Sequence, residues 1–408
     1  MNKQKMVIHV LSILLLLFIT IQASKVYTAE VKGSTDNFKG ALMTQPDIAK
    51  FDPNMAFPES KLDHLNWLNP KTSDTLRVCG LAWYGTDKTY RRMPVNTPEP
   101  LPNAVNNLAN HTSGTQIRFR TNSKELAIRV TLPATNKMAH MASTGQNGVD
   151  VYWGIPGQKM QFINTAMVQY DKPVYELLLY NQKNKVMRDV TLNLPLYQGV
   201  KEILIGFDKD AEILPPQPYK NNKCLIFYGT SITQGGCASR PGMSYTNILS
   251  RRMNYEFINL GFSGSGKGEP VVAQTIASIT NLLCFVLDYE RNATGNNIYY
   301  NTLPNVIKTL REKHPSVPII VFSCIKVAKD YIADPDPKWV HNIRDFAEKT
   351  VTDLRTAGDT NIYFVDGRDI LGPNWDECTV DGLHPTDLGF MRMADAFEPE
   401  LKKILKLE

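Results

Sequence analysis

Residues 224–236 read CLIFYGTSITQGG, an apolar run that stops at Gly229 and Thr230 and gives way to Ser231 and a turn of small residues. A short, continuous apolar run bounded by turn residues is the pattern of a strand covered on both faces, and such strands place their ligands beyond their carboxyl ends. A serine hydroxyl delivered at that point is a candidate nucleophile. The same string also describes an ordinary helix cap or turn, so Ser231 needs a partner before it implies chemistry.

The partner stands near the other end, at Asp381-Gly382-Leu383-His384-Pro385. Of the seven histidines, only His384 has an acid three residues before it. That spacing lets a carboxylate take the Nδ1 hydrogen and fix the tautomer whose Nε2 can accept a serine proton. A capped helix start with a surface histidine, followed by Pro385 in the first turn, is the plainer reading of the motif alone. Taken together, a strand-end serine and a distant Asp-x-x-His point to a nucleophilic hydrolase with Ser231, His384 and Asp381 as its catalytic residues.

GTSIT at 229–233, NLGFSG at 259–264, Asn292 and DGLHP at 381–385 resemble, in order, the four blocks of the SGNH (GDSL-type) hydrolases. The third block, usually G-x-N-D in that family, departs here to Asp288-Tyr289-Glu290-Arg291-Asn292-Ala293. A second stretch, Asn147-Gly148-Val149-Asp150-Val151-Tyr152, is similar to the G-x-D-L-Y signature of a two-domain SGNH subfamily. The resemblance implies an oxyanion hole built from the Ser231 and Gly264 backbone N–H groups and the Asn292 side chain. It also implies that Asp150 couples two domains or walls the cleft. Strand alternation alone puts Asp150 on the opposite face from Val149 and Val151, which is satisfied by solvent.

Five short apolar runs alternate with helical periodicity after residue 224: Leu225–Tyr228, Phe257–Phe262, Leu282–Leu287, Pro318–Cys324 and Ile362–Val365. Helices are expected at Tyr245–Met253, Val271–Ile279, Leu303–Lys313, Trp339–Arg355 and Thr386–Leu405. This is a flavodoxin-like three-layer α/β/α domain over 224–408. In it every candidate block falls just after a strand, on one edge of the sheet.

Upstream, alternating runs at 116–121, 125–132, 149–154, 160–167, 175–180 and 201–207 predict an all-β sandwich, jelly-roll-like, within a domain spanning 30–214. LPPQPYKNN at 214–222 interrupts every pattern and reads as a stiff linker, residues 215–223. Trp83, Tyr84, Tyr90 and Trp153 could stack on sugar rings, although aromatic residues in a sandwich are more often core.

The chain has 408 residues, ample for two cores, and a net charge of +5 without basic runs, which gives no support to nucleic-acid binding. Residues 1–29 carry Lys3 and Lys5 ahead of an apolar stretch from Met6 to Ile21 and then small residues, the pattern of a signal peptide cleaved after Ala23 or Ala29. Export to the periplasm or the extracellular space is expected, without stable membrane insertion. Six cysteines follow. Cys224, Cys284 and Cys324 sit in strand-like runs as buried thiols, while Cys237 and Cys378 flank the two catalytic segments and are expected to form a disulfide. No metal-site spacing, dinucleotide fingerprint or P-loop is present, so neither metal nor cofactor is expected.

The expected activity is serine esterase action on acetyl or other short acyl esters of an acylated carbohydrate, the carbohydrate preference coming from the resemblance, the leader and the sandwich. Arg240, Glu269, Arg291 and Trp375, which lie close to the blocks, and Asp150 are candidate substrate contacts. A lipid or thioester hydrolase is the nearest alternative, and a glycan-binding protein on an inactive scaffold the more distant one.

Overall fold

The computed structural model describes residues 48–57, 61–135 and 137–407; the leader read at 1–29 lies outside them. The described residues 48–57 belong to a unit of their own, in which a helical turn at Ile48–Phe51 precedes a 3-10 turn at Pro53–Met55. From there onward the chain makes one compact unit containing three sheets. No helix among the described residues is long and apolar enough to cross a membrane.

The strand Cys224–Gly229 is buried along its whole length, as its uninterrupted apolar sequence requires. It sits second in a five-stranded parallel sheet whose order is Glu256–Gly261, Cys224–Gly229, Leu282–Asp288, Ile319–Phe322, Ile362–Val365. That order, 2-1-3-4-5, reverses direction beside the first strand, which therefore ends at the topological switch point. Strand alternation divides the core. Ile226 and Tyr228 pack with Val272, Leu303 and Ile343 of the helices on one face, and Leu225 and Phe227 pack with Ile248, Phe390 and Phe397 on the other. The covering helices are Pro270–Ala277, Ile298–Lys313 and Lys338–Thr356 on the first face, Tyr245–Met253 and Asp387–Leu405 on the second.

Two antiparallel sheets make the sandwich. One has the order Asn66–Leu68, Glu202–Phe207, Glu125–Thr131, Val174–Asn181. The other runs Ile213–Leu214, Gln116–Thr121, Arg188–Asn193, Asp150–Trp153, Gln161–Thr165, with Arg77–Cys79 also paired to Gln116–Thr121. Alternate residues from both, among them Ile117, Phe119, Ile128, Val151, Leu192, Ile205 and Phe207, close the core between them. Arg188–Asn193 is a central strand that the sequence reading passes over. Its outward Thr191 and Asn193 are polar yet buried, so apolar alternation underreports it.

The aromatic residues proposed as a sugar platform serve packing instead. Tyr90 is buried in the sandwich core; Tyr84 and Trp153 lie partly buried against it, while Trp83 packs against the α/β core. The segment expected as a stiff linker is held against the sandwich. The Pro215 and Gln217 carbonyls accept hydrogen bonds from Arg120 and Arg118, and the Arg118 guanidinium lies 3.9 Å over the Tyr219 ring.

The sandwich half reaches onto both faces of the α/β half. Met93, Leu101, Val105 and Ala109 join the first core face, and Met141, Leu196 and Tyr197 join the second. Between them Arg92, 1% exposed, donates to the carbonyls of Leu108, His111, Asn259 and Gly261. Burial lowers its pKa to about 9.

Candidate active site

The turn that carries Ser231 is built from its own short sequence. Thr230 caps the single helical turn Ser231–Gln234: its hydroxyl accepts from Ile232 N at 3.2 Å, and Thr233 Oγ1 accepts from Thr230 N at 3.0 Å. The cap is thus the residue before Ser231, and the Ser231 hydroxyl stays available. Gly229 is required by closeness, since a Cβ there would stand 1.9 Å from Thr233 Oγ1 and 2.5 Å from the Asp288 carbonyl oxygen. Beneath the turn, Asp288 Oδ2 accepts from Thr233 Oγ1 at 2.7 Å and from the Tyr245 hydroxyl at 2.8 Å. Burial raises the Asp288 pKa to about 7, against the opposing pull of those two hydrogen bonds.

His384 arrives from the loop between the 3-10 turn Trp375–Cys378 and the helix Asp387–Leu405. Asp381 Oδ1 accepts from the backbone N–H groups of Leu383 and His384, an Asx-type turn that holds the carboxylate in place. Its Oδ2 lies 2.8 Å from His384 Nδ1, and His384 Nε2 lies 3.0 Å from Ser231 Oγ. Desolvation works to raise the Asp381 pKa, but the hydrogen bonds from His384 and Leu383 outweigh it and bring it to about 2. An ionised Asp381 fixes the Nδ1–H tautomer and leaves the Nε2 lone pair facing the hydroxyl. Ser231 is 8% exposed, while the side chains of His384 and Asp381 are 18% and 29% exposed.

The second and third segments meet on the same edge. Gly264 is exposed at φ +65, and a Cβ there would meet nothing within 4 Å. No acceptor among the described residues takes the backbone N–H of Ser231 or of Gly264. Asn292 Nδ2 donates to the Phe262 carbonyl at 3.0 Å, which draws that amide to the 262–264 loop and leaves its second hydrogen available.

The other candidate contacts are engaged within the protein. Asp150 is fully buried rather than solvated: Oδ1 accepts from Asn193 Nδ2 at 2.7 Å, Oδ2 from Gly242 N at 2.7 Å and from Arg240 at 3.1 Å. It ties a sandwich strand to the 240–242 segment. Arg240 also donates to the Tyr152 hydroxyl and lies 3.7 Å over the Phe162 ring. Arg291 pairs with Asp330 through both guanidinium nitrogens, and Glu269 accepts from Lys267 N and the Tyr228 hydroxyl. Trp375 is half-buried beside Tyr331, with Lys326 Nζ 4.5 Å over its ring.

The expected disulfide is absent, and all six cysteines are free and buried. Cys378 Sγ faces inward, donating to the Asn374 carbonyl and accepting from Arg392. Cys237 turns toward His384, and burial together with the nearby Asp381 raises its thiol pKa to about 12. The two loops are neighbours, but their sulfurs face different surroundings.

Two residues at the site are invisible to the sequence reading. Tyr197 donates its hydroxyl to the Ser231 carbonyl at 3.1 Å, and the His140 ring stands 5.6 Å from that of His384. Both come from irregular segments of the sandwich half, where no local motif marks them.

Comparison with known proteins follows the same division of the chain. Residues 222–402 match the GDSL-like lipase/acylhydrolase family, and residues 65–213 match the N-terminus of the SGNH-hydrolase-type esterases. A solved structure of a GDSL-like lipase from Bacteroides ovatus, itself assigned by inference, is 32% identical, with a TM-score of 0.77 over 84% of this chain and 99% of that one. A salicylyl-acyltransferase from a tetracycline biosynthetic pathway, 19% identical, superposes with a TM-score of 0.65 over 84% of this chain and 98% of its own. A family two carbohydrate esterase from Cellvibrio japonicus, 14% identical, gives 0.52 over 84% and 98%. These last two share the fold. No curated protein sequence matches the chain.

Proposed function

The chain belongs to the GDSL-like lipase/acylhydrolase family, and from that premise we propose that it is an exported serine esterase removing acetyl or similarly short acyl groups from carbohydrate. The observation that carries the reading is the hydrogen-bonded row Ser231 Oγ, His384 Nε2, His384 Nδ1, Asp381 Oδ2, at 3.0 and 2.8 Å. Ser231 attacks the ester carbonyl while His384 takes its proton, and Asp381 stabilises the imidazolium. Charge developing on the carbonyl oxygen is met by donors already in position: the Ser231 and Gly264 N–H groups and the free hydrogen of the Asn292 amide. His384 then protonates the leaving alcohol. Water, activated by the same imidazole, releases the acid and restores the serine.

A short acyl group fits what stands around the row. Tyr197, Gly236, Cys237 and His140 are small, polar or half-polar, and a Cβ on Gly236 would come within 3.4 Å of His384 Cδ2. The carbohydrate side of the proposal draws on the carbohydrate esterases that share this fold, and the export side on the leader at 1–29. Replacing Ser231 by Ala is expected to lower kcat for p-nitrophenyl acetate on the order of a thousandfold or more with unchanged circular dichroism. Wild-type turnover in that variant would remove the nucleophile. A p-nitrophenyl series from acetate to palmitate separates the esterase from a lipid hydrolase, and preference for long chains would overturn the acetyl assignment. Acetate release from a panel of acetylated polysaccharides then identifies the sugar.

A further inference from the structure

We propose that His140, Cys237 and His384 form an inhibitory site for a thiophilic divalent cation, zinc above all, which switches the esterase off by occupying its general base. One ligand atom from each of the three lies within 4.8 Å of the others, and no other such trio of His, Cys, Asp or Glu occurs among the described residues. A tetrahedral zinc with bonds of about 2.0–2.3 Å needs its ligands roughly 3.3–3.7 Å apart, so the trio must contract by about 1 Å. His140 can supply that movement. It is exposed, makes no hydrogen bond to the described residues, and stands at the lip of the site from the sandwich half.

The chemistry of the donor set fits the ion. One sulfur and two imidazole nitrogens select zinc over magnesium or calcium, which take oxygen ligands. His384 already carries the support that metal-bound histidines have, its Nδ1 hydrogen held by Asp381 at 2.8 Å, so its Nε2 lone pair is aimed away from that carboxylate. Cys237 is held in left-handed backbone, φ +74, a conformation disfavoured for any residue with a β-carbon; it follows the Gly235 end of the nucleophile helix and presents its thiol toward the two imidazoles. On binding, the thiol proton leaves to solvent as the sulfur–metal bond forms, and the cation provides the positive charge that the buried thiolate otherwise lacks. The Nε2 lone pair is then committed to the metal, the hydrogen bond from Ser231 is lost, and no base remains. Water takes the fourth position.

This inference rests on the esterase reading for its inhibitory effect but not for binding, and the experiment separates the two. Tag-free, metal-free full-length protein is titrated with Co²⁺ and followed by absorbance, and with Zn²⁺ in the p-nitrophenyl acetate assay. A thiolate-to-cobalt charge-transfer band is expected in the wild type and in Ser231→Ala, and is expected to be lost in Cys237→Ser. Zinc at micromolar concentration is expected to abolish turnover, reversibly with EDTA, while Mg²⁺ and Ca²⁺ do nothing. His140→Ala and Cys237→Ser should each raise the inhibitory zinc concentration about tenfold or more, judged against their own metal-free turnover. No cobalt band in the wild type, or a band surviving in Cys237→Ser, overturns the site. A band without any esterase turnover leaves the site standing and sinks the activity. Turnover unaffected by zinc despite the band overturns the inhibitory role.

Discussion

The two ends of the proposed catalytic row are held in opposite ways. Ser231 rides on a turn locked from below by the protein core, through the capping box of Thr230 and Thr233 and the contacts of both Thr233 and Tyr245 to a buried Asp288. His384 rides on a loop that holds itself, through an Asx turn of four residues whose carboxylate side chain is 29% exposed. The nucleophile's position is therefore tied to global stability, whereas the base's position is a local property. Changes at Asp381 should cost activity far more than stability, while changes under Ser231 should cost stability first.

The largest effect tests the local end. Asp381→Asn keeps the side-chain shape and an oxygen that can still accept from the backbone, but an amide nitrogen beside His384 Nδ1 selects the wrong tautomer. A fall in kcat on the order of 10²–10⁴-fold is expected, with the melting temperature lowered by no more than about 5 °C, the carboxylate's hydrogen bonds that hold its pKa at about 2 being partly replaced by those of the amide. A much larger drop in melting temperature would show that the 381–384 turn is part of the cooperative core, and the contrast would fail.

How much of this could be read beforehand follows the same line between local and distant. Ser231, Asp381 and His384 announce themselves because strand end, Asx turn and imidazole are local patterns, and the buried strands of the parallel sheet follow from uninterrupted apolar runs such as CLIFYG. The helix Ile298–Lys313 begins five residues before the expected Leu303, with Pro304 inside it. Asp150 looked solvated because alternation reports only the opposite face, and that face is covered by the 240–242 segment. His140 and Tyr197 were out of reach altogether, since nothing near residue 140 or 197 encodes a meeting with residues 384 and 231. The expected disulfide failed for a related reason: loop adjacency brings two backbones together, but each sulfur is oriented by its own neighbours.

A second, smaller effect tests the core end through pH. Asp288 has a folded pKa of about 7, well above the usual carboxylate range, so the folded chain binds a proton that the unfolded chain has already released. A raised carboxyl group contributes stability that is full below the unfolded value, about pH 4, and declines as pH climbs toward 7. Stability measured by urea between pH 4.5 and 7.5 should therefore fall with pH on this account, and Asp288→Asn, which keeps an acceptor for Thr233 and Tyr245, should flatten that slope. An unchanged slope in the variant would mean that Asp288 is already ionised, stabilised by its two donors, and that burial is not the dominant influence.

The smallest effect addresses the cap itself. Thr230→Val preserves shape at a position 1% exposed and removes only the acceptor for Ile232 N. Loss of an N-cap costs about 1 kcal/mol, equivalent to about 2 °C for a unit of this size. If the core sets the nucleophile's position, that cost should appear in the melting temperature while kcat changes less than about threefold, because Thr233 and Tyr245 still anchor the turn on Asp288. If instead kcat falls by a factor of 10 or more at unchanged melting temperature, the cap rather than the core aims Ser231. Both ends of the row would then be local devices, and the contrast between them would disappear.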